Sequence, residues 1–384
     1  MKIVFVSNYY NHHQSAFSEA MYNLIGDRYT FLETMPIEQE RLNLGWGEDT
    51  YPCFVMRSYI SDGAYSDCLR LINDADIVIA GSAPEDMIHR RIKEGKIVFR
   101  YLERPLKTKI GVLRYLKMWI RLHQLNPYYA NIYILCASAY TTADFSKFSL
   151  FKGRCYKWGY FPAAKRYDDI DRLIFEKKRH SILWAGRFLD WKHPEAVIEI
   201  AKNLKNDGYD FDLKIIGTGE FEQTLTEMIR VNELSNCVHM LGSMKPVEVR
   251  NNMEQSEIYL FTSNKVEGWG AVLNESMNSG CAVVASHVIG SVPFLLKDGE
   301  NGLIYHDGDT VDLYQKTKWL LDHPTERMEM SKKAYWTIRN EWNAENAAQK
   351  LVHFSEKVIS GEPVQDLYLS GVCSSAEIIH DRWY

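Results

Sequence analysis

The sequence lacks any hydrophobic run close to the roughly 20 consecutive apolar residues that a membrane-spanning helix needs. Its seven cysteines are scattered, odd in number and without a Cys-x-x-Cys pair, so they predict no disulfide framework and favour reduced thiols. An excess of positive charge is also missing, because 45 Lys and Arg stand against 50 Asp and Glu. These absences favour a cytoplasmic protein and argue against nucleic acid as a partner.

The composition is that of a globular protein, with 46% hydrophobic and 25% charged residues. Residues 1–8 turn polar too soon for a signal peptide and are typical of a first buried strand. Helical and strand patterns then alternate, which predicts an α/β protein with parallel sheets. A chain of 384 residues is long for one hydrophobic core, so we expect two domains.

The pattern of alternation lapses once, in the middle of the chain, and restarts with a new apolar strand at residues 181–185. We therefore predict two Rossmann-like domains that face each other across a cleft, with ligands at the carboxyl ends of the strands. The predicted parts are an N-terminal domain over 1–162, a linker over 163–178, a C-terminal domain over 179–345, and a C-terminal helix and tail over 346–384 that pack back on the N-terminal domain.

Two carboxylates, Glu267 and Glu275, stand eight positions apart around a Gly-Trp-Gly turn at residues 268–270. The turn lies between apolar runs at 257–261 and 281–285, which predict buried strands. Glycines remove Cβ atoms where a ligand approaches the backbone, and the free N–H groups of a helix that starts near residue 270 favour an anion. A pair of surface glutamates is the simpler alternative, but the glycines favour a binding site.

Two cations follow the strand at 181–185, because Arg187 and Lys192 leave its end five positions apart. A guanidinium and an ammonium so close together suit a pyrophosphate, although two solvated loop cations would give the same pattern. Gly217 and Gly219 form a Gly-x-Gly turn after a further predicted strand. The third glycine of a dinucleotide fingerprint is absent, so the turn is weak as a cofactor signal.

Taken together, the Glu267-to-Glu275 spacing, the Gly-Arg-Phe…Lys segment at 186–192 and the order of the later motifs resemble the retaining GT-B glycosyltransferases of family 4, or glycosyl transferases group 1. The resemblance covers residues 181–358 well and the N-terminal half mainly by architecture. It implies a nucleotide-sugar donor, a glycan or lipid-linked saccharide acceptor of polysaccharide assembly, and no cofactor. Retention of the anomeric configuration implies either a double displacement or a front-face attack. Such transferases are generally assigned the front-face route.

The resemblance also implies roles for individual residues. Arg187 and Lys192 would neutralise the leaving diphosphate, Glu267 would hold a donor-sugar hydroxyl near the reacting carbon, and Glu275 would accept hydrogen bonds from the ribose. The other residues that would contact the donor are Gly217, Gly219, Met244, Gly268, Trp269 and Gly270.

The N-terminal half departs from the family where the acceptor is expected. A polar and aromatic segment, residues 8–15, replaces the early glycine-rich loop, and Glu103 and Arg104 follow the strand at 97–101. Exposed loop histidines and a structural ion pair between Glu103 and Arg104 are the alternatives. The candidate residues on the acceptor side are Asn11, His12, His13, Glu103 and Arg104.

Four Asp-x-Asp pairs occur, but none follows a strand that leads to the donor site, so we predict caps and turns and no metal. Residues 107–121 are basic, aromatic and amphipathic. They predict either a helix on an anionic membrane surface, at the inner face of the plasma membrane, or a helix with its apolar side on the sheet. The alternatives to a transferase are a GT-B sugar-nucleotide epimerase or hydrolase and a non-catalytic nucleotide-sugar-binding protein.

Overall fold

The computed structural model describes residues 1–39, 42 and 51–384, which fall into two compact units. The first unit comprises Met1–Ala163 and Trp342–Trp383, and the second comprises Ala164–Glu341 and Tyr384. Each unit contains one parallel β-sheet with helices between its strands. The prediction of two Rossmann-like domains is therefore confirmed.

The strands of the described residues, in chain order, are β1 Ile3–Ser7, β2 Tyr29–Glu33, β3 Val55–Arg57, β4 Ile77–Ala80, β5 Val98–Leu102, β6 Ile132–Cys136, β7 Cys155–Lys157, β8 Lys178–Ala185, β9 Asp212–Ile216, β10 Val238–Gly242, β11 Ser256–Phe261, β12 Ala282–Ser286 and β13 Leu303–Tyr305. The first unit has the strand order β3-β2-β1-β4-β5-β6-β7, and the second has β10-β9-β8-β11-β12-β13. Central strands such as β1, β4 and β12 are buried along their length because helices cover both faces of a parallel sheet.

The α-helices, numbered likewise, are α1 Ser15–Ile25, α2 Asp62–Asp74, α3 Glu85–Lys93, α4 Val112–Leu125, α5 Thr141–Ser146, α6 Ile170–Phe175, α7 Pro194–Asn206, α8 Glu222–Val231, α9 Pro246–Gln255, α10 Val272–Asn278, α11 Val292–Leu295, α12 Thr310–Asp322, α13 Pro324–Asn340 and α14 Ala344–Ser360. Within the part of the chain that the structure describes, no helix combines the length and the hydropathy that a membrane crossing needs.

Helix boundaries follow local chemistry. Proline occupies the first turn of α7, α9 and α13, where its missing N–H costs nothing. Asp169, Asp309 and Asn343 cap α6, α12 and α14, each accepting a hydrogen bond from a backbone N–H three residues on. Asp169 and Asp309 each belong to one of the four Asp-x-Asp pairs, so one aspartate in each of these two pairs caps a helix.

The predicted linker over 163–178 contains a short helix. Residues Ile170–Phe175 form α6, and Ile170 and Ile174 pack in a hydrophobic cluster with Tyr335 of α13. The charges of this stretch lie on the exposed side of a short helix, which masked its apolar period in the sequence. The second unit ends at Glu341, and residues Trp342–Trp383, with α14, belong to the first unit.

Both sheets reverse their strand order beside their first strand. In the second unit β8 pairs with β9 on one side and with β11 on the other, all parallel. Connections leave such a pair of strands in opposite directions, which opens a crevice above their carboxyl ends. The loop after β8 and the loop after β11 therefore meet at one place, above a core that includes Ile182, Trp184 and Leu260.

Candidate donor site and acceptor-side residues

The crevice of the second unit brings Lys192 and Glu267 together. Lys192 Nζ donates to Glu267 Oε2 at 2.7 Å, and Ser263 Oγ donates to the same oxygen at 2.9 Å. Only 14% of the Lys192 side chain and 12% of the Glu267 side chain are exposed. The pair lies between the loops that follow β8 and β11, so an ammonium and a carboxylate occupy the edge of the sheet where ligands bind.

The backbone around Lys192 is held by the neighbouring loop. Thr262 Oγ1 donates to the Lys192 carbonyl at 2.7 Å, and the backbone N–H of Asn264 donates to the Trp191 carbonyl at 2.9 Å. His193 follows in the left-handed conformation, with φ of 48°, and ends the turn so that α7 can begin at Pro194. The backbone that carries the Lys192 ammonium is therefore held by the loop after β11.

Arg187 leaves the same strand end but points into solvent. Its side chain is exposed, and no acceptor for it lies among the residues that the structure describes. The two cations thus differ in their surroundings: Lys192 is already paired with a carboxylate, whereas Arg187 has its guanidinium available to an anionic ligand.

Glu275 lies on the first turn of α10 and is partly buried. Burial raises the pKa of its carboxyl, and the positive charge of Arg250 opposes that shift. No side chain within the described ranges donates a hydrogen bond to this carboxylate. A desolvated acceptor of this kind favours a ligand that brings hydroxyl donors.

The glycines of the Gly-x-Gly turn are needed for packing between two loops of the protein. A Cβ atom on Gly217 would lie 1.8 Å from the carbonyl oxygen of Gly186, and one on Gly219 would lie 2.6 Å from that of Phe188. Both glycines have φ near +150° (143° and 151°), where other residues are strained. The part of the protein nearest to both glycines is thus the loop after β8, which also carries Arg187.

In the Gly-Trp-Gly turn, Gly270 is likewise needed for packing within the protein. A Cβ on Gly270 would lie 2.4 Å from the ring of Phe261, and the Trp269 side chain is fully buried. The indole Nε1 donates to Asn274 Oδ1 at 2.9 Å. Trp269 can therefore meet a ligand only through its backbone. Gly268 and Gly270 belong to the same loop, directly after Glu267.

Met244 lies after β10, beside the Gly-x-Gly turn. The backbone N–H of Gly217 donates to the Gly242 carbonyl at 2.8 Å, and Asn252 Nδ2 contacts Met244 Sδ at 3.6 Å. The predicted donor residues of the second unit thus lie on loops at the carboxyl edge of one sheet.

In the first unit, the segment after β1 is ordered by its own hydrogen bonds. Asn11 is buried, and its Oδ1 accepts from the His13 backbone N–H at 2.8 Å. The rings of His12 and His13 lie 4.0 Å apart, and that of His13 stacks on Tyr160 at 5.8 Å. Burial lowers the pKa of His12 to about 4, so this imidazole is neutral at physiological pH.

Glu103 and Arg104 do not pair with each other. Glu103 accepts hydrogen bonds from Tyr160 Oη at 2.9 Å and from Lys107 Nζ at 2.5 Å. Tyr160 also stacks on His13, so Glu103 and His13 share a neighbour on the acceptor side.

Arg104 has a structural environment. It is buried, its Nε and Nη2 donate to the two oxygens of Asp144 at 3.1 Å, and its Nη1 donates to Asp381 at 2.7 Å. Its guanidinium also lies over the ring of Tyr140. Each of its three guanidinium nitrogens thus donates to a carboxylate of the protein. None of these contacts supports the prediction that Arg104 lies on the acceptor side.

Two further residues lie in the candidate donor site, and the sequence gives little sign of either. Ser263, which donates to Glu267, gives no signal beyond its place two residues after β11. His193 is the other: its Nδ1 lies 2.9 Å from Glu195 Oε1 and its Nε2 lies 3.2 Å from Asn264 Nδ2. The hydrogen bond with Glu195 raises the pKa of His193.

Among the histidine, cysteine, aspartate and glutamate side chains that the structure describes, no group of three or more is arranged to hold a metal ion.

The family model described as Glycosyl transferases group 1 matches residues 166–336. The glycosyltransferase AmsK of amylovoran biosynthesis from Erwinia amylovora is 30% identical over 133 residues, which are 33% of this chain and 32% of AmsK. The putative colanic acid biosynthesis glycosyltransferase WcaL of Salmonella typhimurium is 27% identical over 147 residues, 36% of each chain. The chain thus spans about a third of the length of these relatives.

Among solved structures, HepE from Anabaena in complex with UDP has a TM-score of 0.69 at 15% identity, over 93% of this chain and 100% of HepE. A likeness of this kind establishes the fold, and the predicted resemblance to the GT-B glycosyltransferases of group 1 is confirmed. Residues 166–336 form a domain of the glycosyl transferases group 1 family, on a chain that has the GT-B fold.

Proposed function

We propose that the chain is a retaining glycosyltransferase of the hexosyltransferase type, which moves a sugar from a nucleotide-diphosphate sugar to a glycan or lipid-linked saccharide acceptor. The names of AmsK and WcaL, which refer to amylovoran biosynthesis and colanic acid biosynthesis, support this substrate class. HepE, whose structure was solved with UDP and with UDP-glucose, supports a nucleotide sugar as the donor.

The observation that carries the proposal is the ion pair between Lys192 and Glu267 at the carboxyl edge of β8 and β11. A donor that enters this crevice brings a diphosphate, which is the preferred partner of an ammonium, and sugar hydroxyls, which are the preferred partners of a carboxylate. The pair holds both groups in place before the donor arrives. Such preorganisation lowers the barrier without a reorganisation cost during the reaction.

In this proposal Arg187 joins Lys192 on the leaving diphosphate, because its exposed guanidinium has no acceptor within the described residues. Glu275 accepts hydrogen bonds from the ribose, which would satisfy its desolvated carboxylate. Two cations and the N–H groups at the start of α10 then take the place of a metal ion and no cofactor is needed. Activity that survives exhaustive chelation would support this point, and loss of activity restored by a divalent cation would contradict it.

On the acceptor side, His12, His13 and Glu103 remain the candidates for contact with the saccharide. The lowered pKa keeps His12 neutral but also makes it a weak base, so His12 would contact the saccharide as a hydrogen-bond partner, and His13 is the candidate to accept the hydroxyl proton of the acceptor. Glu103 is held by Tyr160 and Lys107, which orients its carboxylate. Asn11 positions this segment through its hydrogen bond to His13.

With a lipid-linked acceptor, the proposal includes a cytoplasmic protein that associates with the inner face of the plasma membrane through residues 107–121. A second candidate function follows from the same donor site, since an epimerase or hydrolase would use it without a saccharide acceptor. A non-catalytic nucleotide-sugar-binding protein would use it for binding alone.

One experiment separates these functions. The purified protein is incubated with nucleotide sugars that differ in base and sugar, with and without saccharide acceptors, and nucleotide release is followed. Release that depends on an acceptor supports transfer, conversion without an acceptor supports the epimerase or hydrolase, and saturable binding without turnover supports the binding protein. The anomeric configuration of the product, read from its NMR coupling constant, then tests retention: an inverted product contradicts it.

A further inference from the structure

Helix α4, Val112–Leu125, lies on the surface of the first unit with no buried residue. Apolar side chains on it are nevertheless strongly exposed. Their exposed fractions are 84% for Val112, 78% for Leu113, 53% for Leu116, 40% for Trp119 and 44% for Ile120. A helix of a globular domain normally turns its apolar stripe inward, so an outward stripe of this size indicates a partner.

The helix has three separate faces. At about 100° per residue, the five exposed apolar side chains span an arc of about 120°. Arg114, Lys117 and Arg121 are exposed and occupy the neighbouring arc. The third face is packed: Tyr115 stacks on Phe148 at 5.0 Å and donates from Oη to the Lys147 carbonyl at 2.6 Å.

This arrangement contradicts one of the two predictions for residues 107–121. A helix with its apolar side on the sheet would bury Leu113, Leu116 and Ile120, and all three are exposed. The domain instead holds the helix by the side that carries Tyr115. We call the five exposed apolar side chains the apolar stripe, and Arg114, Lys117 and Arg121 the basic arc.

The chain around the helix carries basic residues and lacks acidic ones. Residues 104–143 contain six of the 45 basic residues of the chain and none of its 50 acidic residues. No residue of the basic arc forms an ion pair with a carboxylate of the described part of the chain, whereas basic residues elsewhere, such as Arg70 and Arg230, pair within their own helices. The surface therefore combines unpaired positive charge with exposed apolar area, over a chain whose net charge is −5.

We infer that α4 docks on an anionic lipid bilayer, with the apolar stripe in the boundary between headgroups and acyl chains and the basic arc on the lipid phosphates. A basic amphipathic helix gains from burial of its apolar face and from attraction to anionic headgroups at once. An acidic protein partner would match the basic arc but would have to supply its own apolar groove, whereas a bilayer supplies both. The inference refines the peripheral location in the proposed function and rests on it only for the choice of the inner membrane face.

The test is sedimentation of the full-length protein with vesicles of phosphatidylcholine, with and without phosphatidylglycerol. We expect binding to the anionic vesicles that weakens as salt is raised, and little binding to the neutral ones. Leu116→Glu should abolish binding, and the double variant Lys117→Glu/Arg121→Glu should weaken it by about twentyfold or more, since each basic residue near an anionic surface contributes about fivefold to the partition constant.

Matched controls exist in the second unit. Val311 is an exposed apolar residue of α12 (68% exposed), so Val311→Glu makes the same chemical change as Leu116→Glu at a helix position away from α4. Lys202→Glu/Lys333→Glu changes the net charge as much as the basic-arc variant does. Both controls should bind anionic vesicles as the unchanged protein does, and thermal unfolding should show that all variants are folded.

Depth of insertion gives a second measurement. Quenching of tryptophan fluorescence by brominated lipid should fall in Trp119→Phe, because Trp119 belongs to the apolar stripe. Failure of the unchanged protein to bind anionic vesicles at low salt would overturn the inference. Equal binding by Leu116→Glu and Val311→Glu would do so too, as would a dimer that forms through the apolar stripe in place of vesicle binding. Nucleotide release with a water-soluble saccharide acceptor should be the same in the α4 variants, which separates this inference from the proposed transfer reaction.

Discussion

Replacement of Lys192 by methionine removes one positive charge and keeps most of the volume of the side chain. In the free protein, the change leaves the Glu267 carboxylate with Ser263 as its remaining donor among the described side chains. In the proposed reaction, it also removes one of the two cations that neutralise the departing diphosphate. The variant thus has two separable consequences, one for stability and one for turnover.

The size of each consequence follows from the environment of the pair. Both side chains are less than 15% exposed (14% and 12%), so the charge of Glu267 is left largely desolvated when its partner is lost. We expect a loss of about 3 kcal/mol in the free energy of unfolding, at the low end for a broken buried pair because some solvent remains. Removing a charge partner of the transition state should lower kcat by about 10²–10³-fold, or about 3–4 kcal/mol.

The assay compares Lys192→Met, Glu267→Gln and the double variant by nucleotide release and by urea unfolding. The double variant has no uncompensated charge, so it should regain stability but not kcat. Lys178→Met is the matched control, because Lys178 forms an ion pair with Asp212 at 2.8 Å at the amino ends of β8 and β9, the opposite edge of the same sheet. Its kcat should equal that of the unchanged protein.

A folded Lys192→Met protein whose kcat lies within threefold of the unchanged value would refute the assignment of Lys192 to the leaving group. Recovery of kcat in the double variant would refute it as well. In that case the loss of kcat in Lys192→Met would come only from the Glu267 carboxylate, which has lost its charge partner.

Three further predictions concern single positions. Glu275→Gln should weaken nucleotide binding in calorimetry yet raise the melting temperature at pH 7. Because burial raises the pKa of Glu275, its ionised form costs stability as pH rises through that pKa, and the glutamine variant lacks this pH dependence. Gly217→Ala should destabilise by several kcal/mol in urea unfolding, since its Cβ would lie 1.8 Å from the Gly186 oxygen. Gly208→Ala is the control with open space and should cost about 1 kcal/mol. For His12, a pKa lowered from 6.5 to about 4 means stability that is complete above pH 6.5 and lost as pH falls towards 4, about 3 kcal/mol in all. Urea unfolding at pH 7 and pH 4.5 should show this loss in the unchanged protein and not in His12→Asn.

The alternation of strands and helices was sufficient to predict both sheets, because a buried parallel strand has an apolar signature that needs no knowledge of its neighbours. The same logic placed Lys192 and Glu267 at one edge, since loops that follow strands of a parallel sheet share its carboxyl end. The sequence alone does not reveal that their side chains meet at 2.7 Å, because that distance depends on Thr262 and Asn264, which fix the turn.

Other features depend on contacts that are distant in sequence. Arg104 was a candidate for the acceptor side, but its partners Asp144 and Asp381 lie 40 and 277 positions away, beyond the reach of a local pattern. Gly217 was expected beside a ligand, whereas the nearest atom to its missing Cβ belongs to Gly186. The orientation of α4 was open for the same reason: an amphipathic period shows that a helix has two sides and not which side the domain holds.

The close approach of Gly217 and Gly219 to the loop after β8 has a mechanical consequence. Phe188 donates its backbone N–H to the Thr218 carbonyl at 2.8 Å and accepts from Phe221 N–H at 3.3 Å. With no Cβ atoms between them, the two loops form a single stiff body in which neither can shift alone. Selection for a new donor would therefore find little freedom in these turns. We expect specificity to evolve at the segment that carries Met244, which lies just beyond the backbone hydrogen bond from Gly217 to Gly242.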